Sequence, residues 1–193
     1  KKGVDILLDA FQEVNRPDLH LVYVGAGPME PQLRAASVDR THFCGFVNQQ
    51  QMPAAYQMMD VLALPSRGPG ETWGLAVNEA MACGKPAIVS DRVGCGADLI
   101  NPATGWTCTA DNVESLCCVL ASLPCREDLR RLSSGIRLHI AKWSFEWQLR
   151  GWTAAIESLS LSSRCLCARC IGQRARLRDS AQRGQLPARR DVL

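Results

Sequence analysis

No uninterrupted apolar run in the 193-residue sequence reaches the ~18 residues of a membrane-crossing helix, which excludes an integral helical membrane protein. No signal-peptide pattern is present, and the chain opens on Lys1-Lys2-Gly3 without a Met. It reads as a piece of something longer. Internal repeats are absent. The net charge of +3 is small and uneven: residues 160–193 hold eight Arg against two Asp, while the remainder holds 14 basic against 17 acidic residues. The body is thus mildly acidic and offers no nucleic-acid footprint. Residues 160–193 lack any aromatic, Lys or Glu, and their apolar residues keep no period, so a disordered basic tail is expected there. Cys165, Cys167 and Cys170 lack the fourth neighbouring Cys or His that a tetrahedral zinc site needs. The remaining cysteines are scattered over strand, helix and loop positions, and a chain of this size needs no staples. They read as reduced thiols of a cytosolic protein.

At 47% apolar and 21% charged residues, the composition is that of a globular protein. Hydrophobic spacing predicts helices over Val4–Val14, from Pro28 to about Ser37, and over Met52–Met58, Leu75–Cys83, Val113–Leu123, Glu127–Ile140 and Phe145–Leu159. Short β-branched and aliphatic runs predict strands over Leu19–Val24, His42–Cys44, Val61–Leu64, Ala87–Ser90 and Trp106–Thr109. The alternation implies βαβ units: an α/β, Rossmann-like parallel sheet with helices on both faces, over residues 1–159.

Two strand-to-helix junctions carry chemistry. Val24-Gly25-Ala26-Gly27-Pro28 brings glycines between a strand and a helix, where a phosphate could approach a helix N-terminus. A dinucleotide fingerprint needs a third Gly where Glu30 stands, so NAD binding is disfavoured and a tight turn remains. The stronger segment runs from Pro65 to Asp91, PSRGPGETWGLAVNEAMACGKPAIVSD. Its Gly- and Pro-rich loop enters a helix whose first-turn amides, on Trp73, Gly74 and Leu75, would attract an anion. Glu71 and Glu79 lie eight positions apart, ~10 Å if the intervening chain is largely helical. That span suits two ends of a diphosphate-bridged ligand better than the carboxyl pair of a hydrolase. Spacing alone favours a capping acid and an exposed helix residue.

In order, Lys2-Gly3-Val4-Asp5, Gly25-Ala26-Gly27-Pro28, Phe43-Cys44-Gly45-Phe46-Val47 followed by Met52, Tyr56 and Asp60, Pro65-Ser66, Glu71 through Gly84, and Val93-Gly94-Cys95-Gly96 resemble the signatures of one family. It is the retaining family 4 of glycosyltransferases (glycosyl transferases group 1), in the nucleotide-sugar-binding C-terminal half of its GT-B fold. The resemblance covers about residues 1–158. It implies a nucleoside-diphosphate sugar as donor substrate, with no separate cofactor, and an acceptor (sugar, lipid or other) held by an N-terminal domain. It implies that Lys2 contacts the diphosphate, Glu79 the ribose and Glu71 the transferred sugar. The amides of Trp73, Gly74 and Leu75 would bind sugar and phosphate oxygens, Gly25 would line the phosphate turn, and Val47 and Met52 would meet the base or pack in the core. Glu71 and Lys2 would be the groups closest to catalysis, while Tyr56 and the Trp73 side chain would pack.

The resemblance also has departures. The Arg that usually precedes Lys-Gly in the family, and the first strand of the sheet, are expected upstream of Lys1. Asp98 stands where the family commonly has Glu. No Asp-x-Asp occurs, so a metal-bridged diphosphate is not indicated, and none of His20, His42 and His139 falls in these motifs to act as a general base. The resemblance implies that this piece alone binds the donor without transferring. It implies a cytoplasmic protein, with room for peripheral contact of the whole protein at the membrane face. A non-catalytic nucleotide-binding module and a sugar-nucleotide epimerase relative are the rival readings.

Overall fold

The computed structural model describes residues 1–68 and 70–159. In chain order the elements are α1 (Val4–Val14), β1 (Leu21–Tyr23), α2 (Glu30–Ala36), β2 (Thr41–Phe43), α3 (Met52–Met58), β3 (Leu62–Leu64), α4 (Leu75–Ala82), β4 (Ala87–Ser90), α5 (Gly96–Leu99), β5 (Gly105–Cys108), α6 (Val113–Ser122), α7 (Arg126–Arg131) and α8 (Ser133–Ile140). A last helix, α9, covers 145–159. The described chain forms two compact units, Lys1–Lys142 and a second beginning at Trp143. The expected tail, with Cys165, Cys167 and Cys170, lies outside the described residues.

Every strand pairing in the first unit is parallel. β1 pairs with β2, Val22 opposite His42, and β3, β4 and β5 form a second group in that order, with Ala63 opposite Ile88 and Ile88 opposite Trp106. β4 is central and wholly buried, and its side chains alternate between two cores. Ala87 and Val89 join Leu64, Val77, Met81, Leu99 and Ile136 on the face covered by α4, α5 and α8. Ile88 joins Ile6, Leu7, Ala10, Cys108, Leu116 and Leu120 on the face covered by α1 and α6. That alternation follows from the two-residue period of a strand buried on both faces. Leu21 of β1 and Ala63 of β3 pack against this second core, although β1 and β3 belong to separate hydrogen-bonded groups.

Arg16, just beyond α1, ties α1 to α6. Its Nη1 donates to the carbonyls of Leu120, Ala121 and Leu123 at 3.3, 3.1 and 2.8 Å, where α6 runs out of amide partners.

The helix expected over Glu127–Ile140 is two helices. At the joint the Leu132 amide bonds back to the Leu129 carbonyl, three residues away, before the Ile136 amide resumes the normal ladder to Leu132. The short helix α5 falls where the sequence shows only a glycine loop. In the second unit, α9 carries Phe145, Trp147, Leu149, Trp152 and Ile156 exposed.

Candidate functional site

Most of the residues singled out by sequence lie on segments that leave the carboxyl ends of parallel strands: Gly25 after β1, Val47 and Met52 after β2, and Glu71 to Gly74 after β3. Open α/β sheets place their ligands there. Gly3 adopts a left-handed φ of 68°, and a Cβ there would lie 2.1 Å from the Pro65 carbonyl oxygen. Only glycine lets the N-terminal segment run so close to the loop leaving β3. The Arg67 amide then donates to the Lys1 carbonyl at 2.9 Å, fixing the two segments together. Lys2 is thereby delivered to Glu71, and its Nζ forms an ion pair with the Glu71 carboxylate.

Glu71 is 12% exposed in its side chain and sits in a fixed polar setting. The hydroxyl of Ser66, which is fully buried, donates to the same Oε2 at 3.2 Å, and the Ser90 hydroxyl donates to the Ser66 carbonyl at 2.5 Å. A buried carboxylate needs such partners, because burial without them costs several kcal/mol. Arg67 anchors the other side of the loop through Asp5 and Asp111, at 2.8 Å each.

The turn from Glu71 to Gly74 is held by the loop that follows β4. The Gly94 amide donates to the Glu71 carbonyl at 3.1 Å and the Cys95 amide to the Trp73 carbonyl at 2.8 Å. Gly74 is the N-cap of α4, with φ 103°, and it carries no side chain to accept from the first-turn amides. The Trp73 indole donates to Asn78 Oδ1 at 2.7 Å, pinning the ring against the start of α4. Because α4 begins only at Leu75, the helical rise that suggested ~10 Å between Glu71 and Glu79 applies to the last four steps alone. The first part of that span is a turn.

Glu79 occupies a different environment from Glu71. It is exposed on α4 and accepts a 2.7 Å hydrogen bond at Oε2 from the hydroxyl of Tyr56, which is buried on α3. Burial, and then this bond, push the Tyr56 hydroxyl well above the usual phenol range. Val47 and Met52 are half-buried where the β2 loop enters α3, and Phe46 beside them is exposed. Gly25 has φ 121° and donates to the Gly45 carbonyl at 2.7 Å, and no atom lies within 4 Å of where a Cβ would sit. The structure thus pairs Lys2 with Glu71, Gly25 with Gly45, and Glu79 with Tyr56 rather than with Lys2.

A depression of about 470 Å³ lies beyond β4, lined by residues that include Ser90, Asp91, Arg92, Gly94 and Thr107. Lys2, Glu71 and Glu79 do not line it. Among the described residues, no three His, Cys, Asp or Glu cluster closely enough to hold a metal, and no helix is long and apolar enough to cross a membrane.

Residues 1–123 match the family model of glycosyl transferases group 1. The chain belongs to that family. The group 1 relatives it resembles include the GDP-mannose-dependent alpha-(1-6)-phosphatidylinositol monomannoside mannosyltransferase of Mycolicibacterium smegmatis, 30% identical over 78% of this chain and 43% of that protein. The D-rhamnosyltransferase WbpZ of Pseudomonas aeruginosa is 35% identical over 52% of this chain and 26% of that protein. The chain spans less than half the length of these curated relatives.

Solved group 1 and related folds superpose on it. The sucrose-phosphate synthase from Thermosynechococcus elongatus gives a TM-score of 0.67 at 24% identity, over 83% of this chain and 43% of that one. Anabaena HepE in complex with UDP gives 0.66 at 23%, over 81% and 45%. The C-terminal domain of a group 1 protein from Francisella tularensis gives 0.62 at 21%, over 75% of this chain and 80% of that one. The fold is therefore the GT-B type of Rossmann-like parallel sheet flanked by helices.

Sequence reading missed three supports of this candidate site. Ser66 was legible as a polar residue directly after an apolar strand, a position where a buried hydroxyl must find partners. The bridging of Arg67 to Asp5 and Asp111 had no local signal, since its partners lie 62 and 44 positions away in the chain. Tyr56 packs in the core as expected, but its hydroxyl also reaches Glu79.

Proposed function

We propose that this chain is the donor-binding half of a retaining glycosyltransferase that moves a sugar from a nucleoside-diphosphate sugar to an acceptor. The observation that carries the reading is the Lys2–Glu71 ion pair beside the glycine-capped start of α4, within a chain that belongs to group 1. Lys2 supplies a point charge for the diphosphate, and the amides of Trp73, Gly74 and Leu75 supply oriented dipoles at the same helix end. Glu71 accepts from hydroxyls of the transferred sugar, and Glu79 from those of the ribose. Gly25 lines the phosphate turn, and Val47 and Met52 border the base.

The leaving nucleoside diphosphate is then stabilised by fixed positive charge rather than a bridging metal, which is electrostatic preorganisation. The acceptor is held by a further domain, so this piece binds donor without transferring it. Relatives named for GDP-mannose and phosphatidylinositol mannosides favour GDP as the nucleotide and a lipid-borne acceptor.

Calorimetry with GDP, UDP and ADP, each with and without EDTA, tests the site. Weak binding that survives EDTA and falls on Lys2→Ala is the expected outcome. Strict dependence on Mg²⁺, or affinity unchanged by Lys2→Ala, would sink the arrangement.

A further inference from the structure

We propose that Tyr56 is a positioning residue for Glu79, holding its carboxylate to accept from two adjacent hydroxyls and so making the site select for an intact ribose. The inference rests on the reading of Glu79 as the ribose contact. Tyr56 is 4% exposed on α3, so its ring is held by burial while its hydroxyl reaches Glu79 on α4. A buried phenol must find an acceptor, and this one finds a carboxylate on a neighbouring helix at 2.7 Å. Glu79 itself is exposed on α4, where an unrestrained glutamate would lose rotamer freedom on binding a ligand. The Tyr56 bond removes part of that freedom in advance, which is preorganisation.

The donor's chemistry matters as much as its position. Glu71 is paired with a cation, Lys2. Tyr56 is a neutral donor, so it steers one oxygen of Glu79 without placing an opposing charge beside the carboxylate. An ionised carboxylate offers about four acceptor sites, and one bond from Tyr56 leaves capacity for about three more. Two vicinal hydroxyls fit within that capacity. Burial keeps the Tyr56 hydroxyl protonated, so the arrangement holds across the neutral and mildly alkaline range.

Tyr56→Phe removes the hydroxyl and leaves the ring. Calorimetry compares GDP with 2′,3′-dideoxy-GDP on the wild type, Tyr56→Phe, Glu79→Gln and the double variant, with thermal melts to establish that each is folded. Tyr56→Phe is expected to weaken GDP by about three- to tenfold and to leave the dideoxy nucleotide unchanged. In the double variant its effect should vanish, because Glu79 is no longer there to be positioned. An equal loss for both nucleotides would make Tyr56 a packing residue only and overturn the proposal. So would a selective loss of GDP on Glu79→Gln with none on Tyr56→Phe, and that result would leave the ribose reading intact. If Glu79→Gln does not change the ratio of the two affinities, or the wild type binds neither nucleotide, the ribose reading and the proposal fall together.

Discussion

Replacing Gly94 by Ala tests how the turn that carries Glu71 is held. A Cβ at this position would lie 1.8 Å from the Thr72 carbonyl oxygen, 2.6 Å from its carbon and 3.2 Å from the Trp73 Cα. All three are backbone atoms, so no side-chain rotation relieves the overlap. Contact closer than 3.0 Å essentially never occurs, so the two loops must part by more than an ångström. The Gly94 and Cys95 amide bonds to Glu71 and Trp73, now 3.1 and 2.8 Å long, cannot both survive that displacement. Each is worth about 0.5–1.5 kcal/mol, so the expected destabilisation is roughly 1–3 kcal/mol. For a chain of this size that is a fall in Tm of roughly 2–12 °C. Gly27→Ala is the matched control, because its Cβ would meet nothing within 4 Å. Differential scanning calorimetry reads both variants, and nucleotide binding by Gly94→Ala should weaken with the displaced Glu71. A Gly94→Ala protein that melts with the wild type would refute the claim that these two loops hold each other.

Gly135 is exposed within α8 with open space around its Cβ position, so Gly135→Ala should raise stability by about 0.5–1 kcal/mol in a denaturant melt. Burial pushes the thiols of Cys95 and Cys108 up to about 11, while Cys44, Cys118 and Cys125 are exposed. Brief iodoacetamide treatment near pH ~8 followed by peptide mass mapping should therefore find the latter three labelled and the first two protected. Burial works against the Asp5 carboxylate, yet bonds from the Ile6 amide and from Arg67 outweigh it and hold its pKa below the ordinary value. A depressed folded pKa means the stabilisation is complete above about pH 4 and is lost as the pH falls through the lower, folded value. Asp5→Asn should consequently flatten the loss of stability below about pH 4 in urea melts. An unchanged acid slope would remove Asp5 from the account.

Periodicity located the helices and strands of the first unit to within a few residues, because both cores are built from side chains that recur at helical or strand spacing. Val4–Val14, Met52–Met58 and Ala87–Ser90 have the bounds their hydrophobic patterns imply. The break between α7 and α8 was not legible, since it contains neither Gly nor Pro, and the apolar period runs on from Leu129 to Ile136 across it. α5 was hidden for the opposite reason: Gly96 opens it, and four residues are too few to show a period.

For the candidate site, residue types were legible and their environments were not. Glu71 and Glu79 carry the same side chain on one short segment, and spacing alone could assign them to opposite ends of a ligand or to nothing. What separates them is long-range: Gly3 permits the approach that brings Lys2 to Glu71, while α3 brings Tyr56 to Glu79. A carboxylate held between a cation and a buried serine is fixed in place, which suits the hydroxyls of the sugar proposed to move. A carboxylate steered by a neutral phenol at the surface is oriented without an opposing charge from that partner, which suits a diol that only binds. The difference in chemistry proposed for the two glutamates thus comes from a glycine and a tyrosine, neither of which is itself placed on the donor.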